Sequence, residues 1–233
     1  TGELPEQLLQ ERVRDQAGVL GSNSVRSIEP TGSGRWLVRA QDIDIDADRV
    51  IVTTSARVAS DILAPVAGEM ARALERAPTL SSVTVTLAHA RDDVPHPLDA
   101  TGFVVSSESQ RAGLLACTFV TSKFADRSGP DTVLLRMFFR PHAQDREALD
   151  DAAWTARATG GASRFLGVTA APHQVWVARW LDTLPVHTTE HRKRVATLER
   201  GLAGSGVLLA GSAYHGSGID AAVRSAERAA TKI

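Results

Sequence analysis

Cysteine and long apolar runs are the two features that this sequence most clearly lacks. Cys117 is the one cysteine among 233 residues, so no disulfide within the chain and no thiolate metal cluster can form. No segment approaches the roughly 20 consecutive apolar residues of a membrane-spanning helix. The first residues also lack the basic and then apolar pattern of a secretory signal. These absences favour a cytoplasmic protein and leave peripheral membrane association open.

An excess of charge of either sign is also lacking. The chain carries 26 basic and 27 acidic residues, which gives a net charge of −1, and neither sign forms a block. Nucleic-acid binding needs a basic field, so this class of partner is not expected. The sequence shows no internal repeat, which excludes a solenoid. At 43% hydrophobic residues, it can bury one large core or two modest ones.

Several signatures of enzyme active sites are missing. No serine stands in G-x-S-x-G, and the Gly-Ser-Gly segments at 32–34 and 204–206 lack the following Gly-Lys of a phosphate-binding loop. Neither a hydrolase with a nucleophilic serine nor a nucleotidase with a phosphate-binding loop is therefore indicated by motif. The strand, G-x-G-x-x-G and helix that bind the pyrophosphate of a dinucleotide are missing as well.

The most informative stretch that is present runs from Val207 to Ile233. A short apolar run closed by Gly211 predicts a buried strand, and Gly216 and Gly218 then permit positive φ or a close approach of the backbone. Such a pattern also occurs wherever an α/β unit turns a corner. A helix N-terminus after the glycines would favour an anionic ligand. The apolar residues that predict this helix are Ala222, Val223, Ala226, Ala230 and Ile233.

The rest of the chain predicts an α/β (α+β) fold of two lobes. An amphipathic segment begins at Leu4-Pro5, and a helix is predicted from Ala59 to Ala77. A hairpin is predicted at 25–38, with strands at 43–45 and 50–52. From Ser81, alternating apolar residues predict a mostly antiparallel sheet. Its predicted strands are 83–87, 103–105, 114–120, 133–139 and 175–180, with a helix at 146–166 that is interrupted around Gly160-Gly161.

The motif L-A-G-S-A-Y-x-G-x-G-I at 209–219, with its following Ser-Ala-x-x-Ala-Ala helix, resembles the flavin-contacting motif of protoporphyrinogen oxidases. These enzymes belong to the flavin-dependent amine oxidase superfamily. The order of elements in the first 80 residues resembles this family too, as does the R-W-x-x-x-L-P-x-H-x-x-x-H segment. His187, Glu190 and Arg140-Pro141 depart from the family pattern.

This resemblance implies the C-terminal part of a two-lobe FAD-dependent oxidoreductase. Residues 1–80 and 201–233 would form a partial FAD-binding layer, and residues 81–200 would form a sheet that binds substrate. The cleft between the lobes is the expected site. The missing dinucleotide motif would lie in an N-terminal half of the same protein.

The implied reaction is oxidation of protoporphyrinogen IX or coproporphyrinogen III to the porphyrin by FAD and O₂, a step of haem biosynthesis. The alternatives are another FAD oxidoreductase of the superfamily, or a non-catalytic flavoprotein fragment or binding module.

Ten candidate site residues follow from the resemblance, and none of them is assigned a catalytic role. Val25 would lie near the adenine and Thr54 near the cofactor phosphates. Arg140 would pair with a propionate, although an exposed arginine at a strand end is an equally good interpretation. The turn residues Gly211, Gly216, Gly218 and Ile219 would contact the flavin, and Val104, Leu114 and Phe138 would contact the macrocycle.

A zinc site is the remaining alternative, because 187–191 matches the H-x-x-E-H signature of a class of zinc peptidases. A helix cap at Thr188 or Thr189 would leave His187 outside the helix that should carry both histidines. Glu199 and Glu227, the glutamates that follow, fall in predicted amphipathic helices. We therefore expect no metal.

Overall fold

The computed structural model describes residues 18–106, 113–145 and 148–233, together with Gln7, Glu108 and Gln110. The amphipathic segment predicted from Leu4 lies, apart from Gln7, outside these residues. The chain divides into two compact units, unit 1 (residues 1–78 and 186–233) and unit 2 (residues 79–185). Strands and helices are numbered below in chain order.

The described residues of unit 1 form two small sheets. Strands β1 (Val25–Pro30), β2 (Trp36–Ala40) and β3 (Asp44–Ala47) form an antiparallel sheet in that order. Strand β4 (Val50–Val52) pairs in parallel with β10 (Val207–Leu209). Pro30 lies opposite Trp36, so the predicted hairpin is confirmed.

From residue 18 onward, the helices of unit 1 are α1 (Ala56–Arg72), α4 (Thr189–Gly201), α5 (Ser212–His215) and α6 (Ile219–Ala230), with a 3-10 turn at Ala73–Arg76. Helix α1 begins three residues before the predicted start, because the Ser55 hydroxyl caps it by accepting a 3.5 Å hydrogen bond from the Val58 N–H. Gly68 interrupts it with φ 48° and ψ −122°. Helix α4 was predicted within the second lobe, yet it belongs to unit 1, where its Val195 and Leu198 share a core with α1.

Unit 2 contains a five-stranded antiparallel sheet, as the alternating pattern predicted. The order of its strands is β6-β7-β8-β5-β9. Its strands are β5 (Thr79–Ala90), β6 (Gly102–Val104), β7 (Leu114–Phe119), β8 (Thr132–Phe139) and β9 (Gln174–Pro185). Its helices are α2 (Val120–Lys123) and α3 (Asp151–Leu166), with 3-10 turns at Arg91–Asp93, Ala125–Arg127 and Ala143–Asp145. One face of the sheet packs on α3 around the buried Trp154, and the other face carries residues such as Thr84 and Thr86.

Helix α3 is uninterrupted, so the break predicted at Gly160-Gly161 is wrong. Gly161 is buried inside the helix, and a Cβ added there would lie 2.9 Å from Leu114 Cδ2. The glycine therefore permits close packing of the helix on the sheet and does not end the helix. Among the described residues, no helix has both the length and the apolar character to cross a bilayer.

We expect unit 2 to lose stability in acid because of His89. This side chain is 1% exposed, and both ring nitrogens are buried without a hydrogen-bond partner among the described residues. Burial lowers the pKa of His89 below its ordinary 6.5. The stability that the neutral His89 side chain gives to unit 2 is therefore fully present above pH 6.5, and it is lost as the pH falls through the lowered pKa of His89.

The measurement is urea unfolding of the chain at about pH 7 and about pH 5. His89→Leu removes the buried titrating group, so the fall in unfolding free energy between the two pH values should shrink. The exposed His142 provides the matched control, and His142→Leu should retain the original fall. An unchanged pH dependence in His89→Leu would contradict the assignment.

Candidate functional site

The carboxyl ends of the parallel strands β4 and β10 lie side by side in unit 1. The Ala210 N–H donates to the Val52 carbonyl at 3.1 Å, which extends the pairing just past both strands. Thr54 follows β4, and Gly211 follows β10. Ligands of α/β folds collect at such strand ends.

Three glycines after β10 adopt backbone conformations that are essentially restricted to glycine. Their φ and ψ values are 108° and −179° at Gly211, 130° and 152° at Gly216, and 98° and 160° at Gly218. The positive φ expected at Gly216 and Gly218 is therefore confirmed. Between the first two glycines lies the short helix α5, which the sequence did not predict. We call residues 211–218 the glycine turn.

Tyr214 anchors the glycine turn to the end of β4. Its side chain is buried, and its hydroxyl donates a 2.8 Å hydrogen bond to the Thr54 carbonyl. Burial raises the pKa of Tyr214 to about 12, so the phenol stays protonated and acts as a donor at neutral pH. The Thr54 hydroxyl oxygen is itself buried, and it has no hydrogen-bond partner among the described residues.

Helix α6 begins directly after the turn, and no side chain among residues 18–106, 113–145 and 148–233 caps its first N–H groups. Gly218 is the N-cap residue, and a Cβ added to it would meet nothing within 4 Å. Ile219 is exposed at the first helical position. Asp220 is also exposed, and it pairs with Arg224 one turn later. The uncapped N-terminus is therefore open to a ligand that accepts hydrogen bonds.

A hydrogen-bonded chain joins the turn to α4 and α6, and sequence reasoning missed it. The Gly211 N–H donates to Ser225 Oγ at 2.9 Å, and Ser225 Oγ lies 2.6 Å from His215 Nδ1. His215 Nε2 lies 2.9 Å from Glu199 Oε1. This hydrogen bond is the main reason why the pKa of Glu199 falls below its ordinary 4.5. Spacing gave no signal, because the motif leaves position 215 unassigned and Glu199 lies in another helix.

The other predicted site residues do not belong to the glycine turn: one lies on β1 in unit 1, and the rest lie in unit 2. Val25 is partly exposed at the start of β1. Val104 and Phe138 lie on the face of the unit 2 sheet that is not covered by α3, and Arg140 is exposed just after β8.

Leu114 lies in the hydrophobic core under α3 and presents no open surface to a ligand. A register shift between Leu114 and Ala116 explains this placement. Leu114 pairs with Phe139, a residue of the covered face, whereas Ala116 pairs with Phe138 on the open face. A regular strand would have placed both on one face.

The His187 to His191 segment lacks the arrangement of a zinc site. Thr188 caps α4 by accepting the His191 N–H at 3.1 Å, so His187 lies before the helix, as we predicted. Glu190 is exposed and pairs with Arg194. His191 Nε2 is 2.8 Å from the Ala213 carbonyl oxygen. Among the described residues, no group of three His, Cys, Asp or Glu side chains could hold a metal ion.

We expect the purified chain to retain no stoichiometric metal after dialysis. Burial and the neighbouring His191 lower the pKa of His187, but a neutral imidazole without two further ligands holds zinc weakly. Elemental analysis of the wild-type chain, of His187→Ala and of the control His142→Ala should therefore agree. One zinc ion per chain that is lost specifically in His187→Ala would restore the zinc alternative.

Comparisons with known proteins cover nearly the whole chain. The family model described as flavin containing amine oxidoreductase matches residues 1–233. The chain is 26% identical over 239 residues to the protoporphyrinogen oxidase of Macaca fascicularis, and this alignment covers 99% of this chain and 49% of that protein. It is 26% identical over 205 residues to the coproporphyrinogen III oxidase of Bacillus subtilis, which covers 86% of this chain and 43% of that protein.

A solved structure from Exiguobacterium sp., to which protoporphyrinogen oxidase activity has been ascribed, superposes with a TM-score of 0.78 at 28% identity. The superposition covers 90% of this chain and 46% of that one. The chain thus spans about half the length of the curated relatives it matches.

Proposed function

The chain belongs to the family of flavin-containing amine oxidoreductases, and we propose that it is the C-terminal half of an FAD-dependent enzyme that oxidises a porphyrinogen. The C-terminal motif predicted this family correctly. The substrate class is proposed because the relatives named above are oxidases of protoporphyrinogen and of coproporphyrinogen III. We propose protoporphyrinogen IX and coproporphyrinogen III as the two candidate substrates, with O₂ as the electron acceptor. The subcellular location that we propose is the cytoplasm, and peripheral association with a membrane is the alternative.

The glycine turn is the observation that carries the proposal. Its three glycines have conformations that disfavour residues with a side chain, and the space at Gly218 is open. No side chain of the described residues caps the N-terminus of α6. The Thr54 hydroxyl at the end of β4, which has no partner within the described part of the chain, adds a buried polar atom beside Tyr214. These features fit a polar, hydrogen-bond-accepting cofactor such as FAD.

In the proposed complex, the N–H groups of Gly218 and Ile219 donate to the pyrimidine edge of the flavin. Tyr214 holds the turn in place, and Thr54 lies near the cofactor phosphates. Gly211 and Gly216 keep the backbone free of side chains on either side of α5. We propose that Val25, on its separate sheet, contacts the adenine. When bound, FAD accepts the hydride equivalents and passes the electrons on. The chain's own contribution is position and a favourable field for negative charge.

The open face of the unit 2 sheet is the proposed surface for the macrocycle. Val104, Ala116 and Phe138 are successive neighbours across β6, β7 and β8, and Val104 is 82% exposed. Trp176 and Trp180 of β9 lie opposite Thr86 and Ser82, which places these exposed aromatic rings on the same face. A flat apolar substrate would contact these side chains. We assign Arg140 to a substrate carboxylate and leave Leu114 out, because it is buried.

We expect this chain alone to bind FAD weakly or not at all. The strand and G-x-G-x-x-G that bind the pyrophosphate are missing from its sequence, and its proposed flavin contacts are mainly backbone groups. Equilibrium dialysis should therefore show tight binding only when the chain is joined to the proposed N-terminal half. A tight, stoichiometric complex with the 233-residue chain would contradict the proposed division of the site.

The substrate is tested on that complete protein under anaerobic conditions. Either porphyrinogen should bleach the bound flavin, and readmitted O₂ should restore the oxidised spectrum and yield peroxide. Putrescine serves as the amine control. Bleaching by the amine but by neither porphyrinogen would favour another oxidoreductase of the family, and a protein that binds no flavin would favour a non-catalytic fragment or binding module.

A further inference from the structure

In unit 1, the side chains of Glu199, His215 and Ser225 form a hydrogen-bonded series that the proposed cofactor contacts do not use. We call these three side chains the relay. Its residues come from three helices, α4, α5 and α6, and it ends at the first glycine of the turn. Ser225 is 1% exposed, so a polar group has been buried to make these bonds.

When the His215 imidazole is neutral, the direction of each hydrogen bond in the relay follows from its two ends. The Gly211 N–H can only donate, so Ser225 Oγ accepts there. The lowered pKa of Glu199 keeps its carboxylate ionised at neutral pH, so it accepts from His215 Nε2. In a neutral imidazole, Nδ1 then carries no proton and accepts from the Ser225 hydroxyl. Each donor is thus matched to one acceptor, an arrangement in which hydrogen bonds reinforce one another.

The relay holds the glycine turn at two residues and connects the turn to α6. Ser225 fixes the N–H of Gly211 at the start of the turn, and His215 lies in the middle, just before Gly216. Ser225 itself belongs to α6, the helix whose N-terminus follows the turn. The position of the Gly218 and Ile219 N–H groups relative to the end of β10 therefore depends on these bonds.

The same three residue types also form the nucleophilic triads of hydrolases, but the surroundings of Ser225 do not suit a nucleophile. Its hydroxyl is almost fully buried, and one lone pair is occupied by the Gly211 N–H. A nucleophile needs access to its substrate and a site for the developing oxyanion.

We propose that the relay positions the glycine turn for the cofactor, with His215 as the positioning residue between Glu199 and Ser225. This inference rests on the proposed function for its final step, the contact with reduced flavin. The relay's effect on the Gly211 N–H is independent of that function.

The experiment uses the complete protein and two readouts. Hydrogen–deuterium exchange of the peptide containing Gly211, measured without cofactor, reports the relay itself. Ser225→Ala should accelerate exchange about two- to tenfold, which is the loss of one hydrogen bond. The ratio of affinities for reduced and oxidised flavin reports the position of the turn, and it should fall about two- to fivefold.

Variants at Glu199 separate a positioning role from simple loss of structure. Glu199→Gln keeps an oxygen that accepts from His215 Nε2, so it should stay close to wild type in exchange, whereas Glu199→Ala should resemble Ser225→Ala. Glu227→Ala is the matched control, because it removes an exposed carboxylate of α6 outside the relay. His215→Ala should change both readouts.

Each result decides a different statement. Unchanged exchange in Ser225→Ala and His215→Ala would overturn the relay. Accelerated exchange with an unchanged affinity ratio would show that the relay stabilises the fold without positioning the turn, which overturns the inference. Absence of any bound flavin in the wild-type protein would refute the proposed function instead, while exchange would still test the relay. Ester hydrolysis that disappears in Ser225→Ala would replace positioning with nucleophilic catalysis.

Discussion

Replacing Gly218 with valine is expected to lower both the flavin content and the flavin reduction potential of the complete protein. At φ 98° and ψ 160°, a residue with a side chain is strained by about 1–3 kcal/mol, and a β-branched residue is the least tolerated there. The added side chain would also fill the space that is open at this position. Both effects move the N-terminus of α6 away from the cofactor edge.

The fall in potential has a separate electrostatic reason. Reduction places negative charge on the flavin ring, and a helix N-terminus stabilises such charge by about 0.3–1 kcal/mol, or up to about 2 kcal/mol when partly buried. Loss of this contact weakens binding of the reduced form more than binding of the oxidised form. Flavin absorbance after gel filtration and a potentiometric titration measure the two effects.

Gly34→Val is the matched control for this substitution. Gly34 also has positive φ, at 76°, and open space around it, but it lies in the hairpin between β1 and β2. The control should therefore suffer backbone strain while retaining the flavin potential. If Gly218→Val left both flavin content and potential unchanged, the turn would only be a corner between strand and helix, and the proposed function would lose its main support.

Tyr214→Ala is expected to lower the free energy of unfolding by about 3–5 kcal/mol, the range for truncating a buried aromatic side chain. Tyr214 is 2% exposed and belongs to the core of unit 1. The substitution leaves a cavity in this core, and it removes the donor to the Thr54 carbonyl. Urea unfolding of the chain measures the loss.

Tyr214→Phe separates the hydroxyl from the ring. It keeps the packing, so we expect a smaller loss of about 1 kcal/mol for the missing hydrogen bond. Trp154→Ala in unit 2 is the control for cavity formation, and it should destabilise the chain without disturbing the turn. In the complete protein, only the two Tyr214 variants should reduce flavin content. Equal flavin retention in Tyr214→Ala and Trp154→Ala would show that Tyr214 is ordinary core.

Local patterns predicted several elements correctly because neighbours in sequence determine them. The β1–β2 hairpin follows from two apolar runs around a Pro and Gly turn. Alternating residues predicted the antiparallel sheet of unit 2. Gly160-Gly161 shows the limit of this reasoning, because the space that a glycine frees is defined by another element, here the side chain of Leu114.

The boundary between the units was not predictable from local pattern either. The second lobe was expected to extend to residue 200, but unit 2 ends at Pro185 and α4 packs with α1 in unit 1. An amphipathic helix shows in sequence that it has an apolar face. It does not show which core that face joins.

By itself, the sequence determined the family, through a motif of specific residues in fixed order, and the strand, glycine turn and helix that carry it. Only the tertiary structure decided that Tyr214 bonds to Thr54, that Glu199 and Ser225 meet at His215, and that Leu114 faces the core. The physical reason is distance along the chain. A glycine conformation is a property of one residue, whereas these contacts join residues from separate strands and helices, and a single bulge in register exchanges one face of a strand for the other.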